Sequence, residues 1–428
     1  MSDSKIDLNW VKIFNSYNII ENIKNKCYFI INSNQINEYH QARLMTKFDY
    51  KSHLPKIFQE NELSILPISR GDYIISNFKA YHDFDQNDVD ITRIKFPNYI
   101  ESINHNNITS ESIALNCAYI SGMIEDFLDD DYVKLTVNGR MSSLNFEFKI
   151  INVMNNKLQD IYVSNSQLEI DGGYEGINSL SLIEAKNSIS SDFLIRQIYY
   201  PYRLWRNKIT KTIRPIFLTY TNGTFHFREY FFQELNNYNS LVLLNQKKYI
   251  IDEGEINLEI IQRILNEINI VVEPNIPFPQ ADSFDRLINL CELLNQKHKL
   301  SQGDITENYD FDKRQTSYYT SAGMYLGLID KTKEDNKVIY FLTQKGLDLF
   351  KISIFNRQIV FIKLILSHSI FNKTLKLYFK SFRPPNKTEI LVLMRESNLY
   401  KIDSDSTFKR RASTISGWVN WILRSIET

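Results

Sequence analysis

Residues 167–186 read QLEIDGGYEGINSLSLIEAK and place two acids, Asp171 and Glu184, thirteen positions apart. Gly172 and Gly173 can bend the chain between them, which predicts two neighbouring strands that carry the carboxylates. Glu184 and Lys186 stand two positions apart, so on a strand they project from the same face. Magnesium prefers hard oxygen ligands and often takes them from one or two carboxylates. The stretch therefore predicts a Mg²⁺ site with a lysine beside it.

The spacing Glu-x-Lys is not specific by itself, because the chain also contains Glu147-Phe-Lys149 after a run of three aspartates. Two features favour the later occurrence. The mainly apolar run 180–183 predicts that Glu184 ends a buried strand. A predicted helix from about Asp192 to Trp205 follows, with polar and aromatic groups at spacings that suit phosphate contacts. The alternative is a surface hairpin whose charges are merely solvated.

The bulk composition predicts a soluble protein of two to four domains. The chain has 428 residues, of which 43% are hydrophobic and 23% charged, as in ordinary globular proteins. It contains no run of eighteen apolar residues and begins with a polar stretch, so neither a membrane span nor a secretory signal is expected. Three widely spaced cysteines fit a reducing compartment. We expect a cytoplasmic protein.

Charge is distributed unevenly along a chain whose formal net charge is zero. From Lys345 to Thr428, fifteen Lys and Arg residues stand against six Asp and Glu residues. Such an asymmetry predicts a basic C-terminal module that faces a polyanion on a neutral or acidic body. The alternative is a lysine-rich face that is only solvated.

The motif Asp171…Glu184-Ala-Lys186, followed by a helix with Arg196, Gln197 and Tyr200, resembles the active site of the PD-(D/E)xK nuclease superfamily. More narrowly, the chain resembles type II restriction endonucleases with C-terminal winged-helix domains. The resemblance covers residues 165–232 and the C-terminal half, and residues 66–73 are also similar to such enzymes. It implies Asp171 and Glu184 as metal ligands, Lys186 as the catalytic lysine and Gln197 as a supporting residue. The superfamily's proline before the first Asp is absent, and Ile170 stands there.

An additional acid on a preceding helix is common in this superfamily. The resemblance implies Glu125 by its position in the chain, although an ordinary surface role is equally compatible. Glu169 and Glu175 flank Asp171 and are further acids that could share the metal.

The pattern of helices and strands predicts a mixed α/β or α+β protein with a central mixed sheet flanked by helices. One helix is expected at 107–127, a strand at 144–153, and a hairpin at Asn222-Gly223, a strong turn signal. Three prolines in 273–280 predict a linker. The expected division is an N-terminal region (1–100), a nuclease core (101–275), a winged-helix domain (281–352) and a second winged-helix or helical DNA-binding domain (355–428).

The sequence of the first C-terminal module, 281–352, predicts three helices and a hairpin with a polar tip at 331–337. In a helix-turn-helix the recognition helix, here the third, enters the major groove. Arg and Gln read guanine and adenine edges. We therefore expect Arg314, Gln315 and Ser317 to contact bases and Lys313 to contact phosphate. Tyr319 and Tyr325 are expected in the core, and protein–protein packing is the alternative role.

The terminal segment resembles the last recognition helix of similar restriction enzymes. Three basic residues, 409–411, stand near its start. Ile415, Trp418 and Ile422 share one face at helical spacing, which predicts that this face packs in the core. The expected DNA contacts are Lys409, Arg410, Arg411, Ser413 and Thr414.

The leading hypothesis is a type II restriction endonuclease that cuts both strands of double-stranded DNA with Mg²⁺. The resemblance implies a cognate DNA methyltransferase as a functional partner, and a homodimer or a monomer is equally compatible. A nuclease acting on modified DNA or in repair is the alternative within enzymes. The non-enzyme alternative is a winged-helix regulator with an inactive core, against which the intact Asp171, Glu184 and Lys186 set argues.

Overall fold

The computed structural model describes residues 4–85, 87, 89–251, 254–308, 313–397, 399–400, 402 and 404–427. Contacts divide the chain into two compact units. The first consists of residues 1–92, 114–220 and 225–249, and the second of residues 93–113, 221–224 and 250–428. These units differ from the four expected ranges, because residues 93–113 group with the C-terminal half and the two expected C-terminal modules form one unit.

Helices of the first unit surround a set of β-strands. The helices are α1 (Lys5–Ser16), α2 (Ile19–Lys26), α3 (Ser33–Asn37), α4 (Ala42–Met45), α5 (Lys56–Glu60), α6 (Glu111–Ile120), α7 (Met123–Leu128) and α8 (Arg196–Arg206), with a 3-10 helix at Lys51–His53. The strands are β1 (Phe29–Asn32), β2 (Ser64–Pro67), β3 (Asp72–Ser76), β4 (Tyr81–Asp83), β5 (Ile91–Ile94), β6 (Lys134–Ser142), β7 (Asn145–Ile151), β8 (Leu158–Ser164), β9 (Gln167–Glu175), β10 (Ser179–Lys186), β11 (Asp192–Leu194), β12 (Thr212–Thr221), β13 (Thr224–Phe232) and β14 (Leu241–Ile251).

The main sheet of the described residues has seven strands in the order β5-β14-β13-β12-β10-β9-β6. Strand β10 is antiparallel to β9 and parallel to β12, so the sheet is mixed. Leu182 and Phe217 on one face share a core with Tyr199 of α8. On the other face, Phe127 of α7 stacks on Phe227 at 5.2 Å. The expected mixed sheet flanked by helices is confirmed.

Local turn chemistry explains two features of this unit. Asn222 and Gly223 have φ angles of 49° and 76°, as a two-residue hairpin turn requires, and the predicted hairpin between β12 and β13 is confirmed. The predicted single helix at 107–127 is wrong. Gly122 adopts φ 77°, outside the helical range, and separates α6 from α7.

The second unit is mainly helical. Its helices are α9 (Leu258–Glu267), α10 (Phe284–Lys297), α11 (Gln302–Asn308), α12 (Lys313–Tyr325), α13 (Gln344–Asp348), α14 (Ile354–Leu366), α15 (Ser369–Ser381), α16 (Lys387–Arg395) and α17 (Asp405–Glu427), with a 3-10 helix at Leu349–Lys351. Strands β15 (Lys299–Ser301), β16 (Ile329–Glu334) and β17 (Lys337–Leu342) pair in the order β15-β17-β16. The described residues of 354–427 form helices and no strand. Of the two forms expected for the second C-terminal module, they show the helical one, without the β-hairpin of a winged helix.

One hydrophobic core joins residues 256–422 of the second unit. Tyr319 and Tyr325 of α12 belong to the same buried cluster as Ile415, Trp418 and Ile422 of α17, which confirms that these residues are core. The predicted linker at 273–280 carries no helix or strand, but Phe278 is 1% exposed within this cluster. The two expected C-terminal modules therefore do not have separate cores.

No single helix in the described part of the chain is long and apolar enough to cross a membrane. Helices α14 and α15, which meet at 101°, reach that length and composition only when taken together.

Gly417→Ala tests the packing of α17. A Cβ at this position would collide with the carbonyl oxygen of Asp282. In an exposed helix the change stabilises by about 1 kcal/mol, whereas overpacking costs about 1–3 kcal/mol. We expect a lower free energy of unfolding in urea. Gly303→Ala in α11, with only Ser301 Oγ at 3.6 Å, is the matched control and should not destabilise. A stabilised G417A variant would contradict the packing.

Candidate functional site

Side chains that the sequence singles out meet at the end of the β9–β10 pair. The Asp171 carboxylate accepts a hydrogen bond from the Ala185 main-chain N–H at 2.9 Å. The Glu184 carboxylate accepts hydrogen bonds from Lys186 Nζ and Gln197 Nε2, each at 2.6 Å and on the same Oε1. The structure therefore brings together the predicted Asp171, Glu184, Lys186 and Gln197, which we call the acidic centre.

A bulge in β9 positions Asp171. Along β6, Val137 lies opposite Gly173 and Gly139 lies opposite Ile170, so β9 carries one extra residue over this span. Bulges of this kind re-aim side chains and are frequent next to functional sites. A Cβ on Gly173 would lie 2.6 Å from the Cβ of Val137. Only glycine permits this close approach of the strands next to Asp171.

The β9–β10 turn is held by a buried carboxylate that the sequence did not indicate. Asp130 accepts hydrogen bonds of 2.9–3.3 Å from the main-chain N–H groups of Ile177, Asn178 and Ser179 and from the Ser179 hydroxyl. Burial raises the pKa of Asp130, but these hydrogen bonds outweigh it and the pKa is lowered. Asp130 thereby anchors the turn from which both strands of the centre extend.

Charge is unbalanced at the acidic centre. Burial raises the pKa of Glu184 to about 8, Lys186 opposes this shift, and the carboxylates of Asp171 and Asp49 reinforce it. The Glu184 and Lys186 side chains are only 11% and 12% exposed. Because one lysine faces several acids in a site with little water, an added cation would be stabilised there.

Asp49 contributes to this field from a distant part of the sequence. The Leu194 N–H donates to the Asp49 carbonyl oxygen at 3.0 Å, and the Lys51 N–H donates to the Asp192 carboxylate at 2.8 Å. These bonds hold residues 49–51 along β11. No motif surrounds Asp49, so only the tertiary fold reveals it.

The donor set fits Mg²⁺ in kind. Among the described residues, no group of three or more His, Cys, Asp or Glu side chains is placed to hold a metal ion. Asp171 and Glu184 offer carboxylate oxygens, and Gln197 Oε1 is buried without a hydrogen-bond partner. Mg²⁺ commonly keeps several waters and binds through one or two carboxylates. Asp171 and Glu184 are therefore the residues that could hold it.

The other acids considered near Asp171 have partners of their own. Glu169 pairs with Arg140 at 3.3 Å, and Glu175 pairs with Lys211 at 2.8 Å. Both carboxylates thus pair with cations that are not part of the acidic centre.

The prediction of Glu125 as an additional acid is wrong. Glu125 is exposed on α7, whose Phe127 stacks on Phe227. Successive strand residues project from opposite faces. Phe227 therefore points away from Arg228, which bonds to Thr219 directly opposite Lys186. Helix α7 lies on the face of the sheet away from the centre.

The predicted base-reading residues of α12 have different environments. Arg314 is exposed, whereas Gln315 and Ser317 are half-buried. The Ser317 hydroxyl accepts a hydrogen bond from Gln302 Nε2 at 2.8 Å. The side chain of Lys313 lies outside the described residues.

The predicted contacts on α17 divide by helix face. Lys409, Arg410 and Ser413 are exposed, and Arg411 is half-buried. Burial lowers the pKa of Arg411, Arg410 adds to this effect, and Tyr318 of α12 opposes it. Thr414 is 0% exposed on the core face of α17, and its prediction as a DNA contact is wrong.

Three family models match the chain, each described only as a domain of unknown function. They are DUF6996 over residues 7–75, DUF6997 over residues 76–250 and DUF7226 over residues 286–427. The acidic centre lies in the second match, Asp49 in the first, and both expected C-terminal modules in the third. Neither curated proteins nor solved structures give a match.

Asp130→Asn tests the anchor of the turn. Losing a charged acceptor in a buried network costs about 1–3 kcal/mol. Because the folded pKa is lowered, the stabilisation is present above the unfolded pKa and is lost as pH falls. We expect a reduced free energy of unfolding in urea at pH 7 and a smaller difference from wild type at pH 3. The exposed Asp131→Asn is the control, and an equal loss at both pH values would contradict the charge argument.

Titration of Glu184 tests the charge balance. Lys186→Met should raise the Glu184 pKa above about 8, and Asp49→Asn should lower it, because the first removes a cation and the second a carboxylate. Carbon-13 NMR of the glutamate carboxyl groups measures both shifts without added metal. Asp126→Asn, which removes a carboxylate bonded to Lys247 and Tyr249, serves as control and should leave Glu184 unchanged.

Proposed function

We propose that this chain is a Mg²⁺-dependent endonuclease that cleaves double-stranded DNA at a specific sequence, in the manner of a type II restriction endonuclease. The observation that carries the proposal is the convergence of Asp171, Glu184, Lys186 and Gln197 at the end of one strand pair. The sequence motif alone could have belonged to a solvated hairpin, and the burial of Glu184 and Lys186 argues against that alternative.

Hydrolysis of a phosphodiester requires stabilisation of the charge that develops on phosphorus-bound oxygens. A bound Mg²⁺ polarises the phosphate and lowers the pKa of the attacking water. Asp171 and Glu184 would hold the ion. Lys186 places an ammonium group 2.6 Å from Glu184, where it can orient the water or neutralise developing charge. Gln197 donates to Glu184 and fixes the orientation of that carboxylate.

The architecture supports membership of the PD-(D/E)xK superfamily. Strands β6, β9 and β10 are antiparallel neighbours, and β12 joins β10 in parallel after α8. Both acids lie on adjacent strands of a mixed sheet with helices on its two faces. This is the arrangement that the resemblance of the motif implies.

The second unit supports the reading of DNA by a winged helix. Helices α10, α11 and α12 are followed by the β16–β17 hairpin, which pairs with β15. Lys331, Lys333 and Lys337 are exposed on the hairpin and would contact phosphates. Arg314 and Gln315 on α12 would read bases, and the exposed Lys409 and Arg410 of α17 are further candidates for DNA contact.

Digestion of unmethylated phage DNA tests the proposal. Wild-type protein with Mg²⁺ should yield discrete bands, and EDTA should abolish them. Lys186→Ala should reduce the rate about 100- to 1,000-fold, because it removes an electrostatic contact to the transition state. Lys149→Ala is the matched control, since Glu147-Phe-Lys149 has the same spacing but both charges are exposed on β7.

The other outcomes identify the alternatives. A uniform smear would favour a repair-type nuclease, and cutting confined to modified DNA a modification-dependent enzyme. Sequence-selective binding without any cleavage would favour a regulator with an inactive core. Equal loss in the Lys186 and Lys149 variants would overturn the assignment of the acidic centre.

A further inference from the structure

A row of polar side chains continues from the acidic centre across the same face of the main sheet. Lys186 on β10 lies directly opposite Thr219 on β12. Residues opposite one another on neighbouring strands project from the same face. Arg228 on β13 donates from a terminal guanidinium nitrogen to the Thr219 hydroxyl at 3.1 Å. Strand β12, which carries Thr219, therefore lies between the strand of Arg228 and the strand of Lys186.

The partners of Arg228 are neutral. Its other terminal nitrogen donates to His226 Nδ1 at 2.7 Å, and His226 Nε2 bonds to Gln246 Oε1 at 3.1 Å. Burial lowers the pKa of His226 to about 3, and Arg228 and Lys248 add to this effect. The ring is therefore neutral at pH 7, and because arginine only donates, its Nε2 carries the proton.

Arg228 is a buried cation that pairs with no carboxylate in the described part of the chain. It is 8% exposed, forms no ion pair with a carboxylate of the described residues, and its Nε has no hydrogen-bond partner. Burial lowers the pKa of Arg228 to about 10, and Tyr230 and Asp85 oppose this through space. The Phe84 ring covers one face of the guanidinium at 4.5 Å, and Nε is buried without a partner.

Two other arginines of the sheet region, the half-buried Arg214 and the buried Arg203, have different partners. Arg214 donates to both carboxylate oxygens of Glu229, at 2.7 and 2.8 Å. Arg203 donates to the main-chain carbonyl oxygens of Glu147 and Leu235 and thus ties two segments together. Both Arg203 and Arg228 are buried with an unbonded Nε, and neither donates to a carboxylate of the described residues. Arg228 differs in that its bonds go to the side chains of Thr219 and His226 and not to main-chain oxygens, so it ties no separate segment of the backbone in place.

We propose that Arg228, held in place by Thr219 and His226, is an anion subsite that binds a backbone phosphate of the DNA next to the acidic centre. The inference rests on the proposed function and names a residue that would position the substrate. A planar guanidinium matches phosphate oxygens, and a charge-assisted hydrogen bond is strong in a site with little water. A phosphate bound at Arg228, across β12 from Lys186, would set the position of the DNA relative to Glu184.

Binding to a short DNA duplex in EDTA, where cleavage is blocked, tests the subsite. For full-length Arg228→Met we expect roughly tenfold weaker binding and a slope of log affinity against log salt that is smaller by about 0.9, as for one lost phosphate contact. Inorganic phosphate should raise the melting temperature of wild type above that in chloride of equal ionic strength, but not that of the variant. Arg203→Met, also a buried arginine, should keep the salt slope and the phosphate effect.

The outcomes separate this inference from the proposed function. An unchanged salt slope in folded Arg228→Met overturns the subsite, even where digestion shows a working nuclease. Phosphate stabilisation that depends on Arg228 supports the subsite even where no cleavage is found. If Arg228→Met does not fold, Arg228→Lys keeps the charge without the planar fork and should bind DNA more weakly than wild type. A wild type that phosphate does not stabilise overturns the proposal without any variant.

Discussion

The close antiparallel contact of β9 with β10 is the constraint on which the acidic centre depends. Gly173 allows β9 to approach β6, the bulge at Asp171 turns its carboxylate to the end of β10, and Asp130 fixes the connecting turn. Each of these acts on backbone geometry and none acts on the chemistry of the site directly. Glu184 and Lys186 lie on β10. The pairing of β9 with β10 therefore brings them to Asp171.

Local signals in the sequence were sufficient for what lies close together along the chain. The Asn222-Gly223 turn, the shared face of Glu184 and Lys186, and the core face of α17 all follow from spacing and turn chemistry. Asp49 and Arg228 were missed because they approach the acidic centre only through tertiary contacts. The wrong predictions have the same origin: the exposure of Thr414 and the face on which Glu125 lies depend on packing partners far away in the sequence.

Charge is distributed unevenly along a chain whose net charge is zero. The acidic centre concentrates negative charge in the first unit, while the C-terminal segment carries a surplus of lysine and arginine. Such a division is compatible with polyanion binding by the second unit and cation binding by the first, and it explains why net charge alone is uninformative for this protein. Arg228 is a buried cation on the same face of the sheet as the acids.

The single core of the second unit limits how DNA could be read. Tyr319 of α12 and Trp418 of α17 are buried in the same cluster. Two DNA-contacting helices on separate domains can tolerate a variable gap between their half-sites. Under the proposed function, helices fused through one core would contact DNA at one fixed spacing.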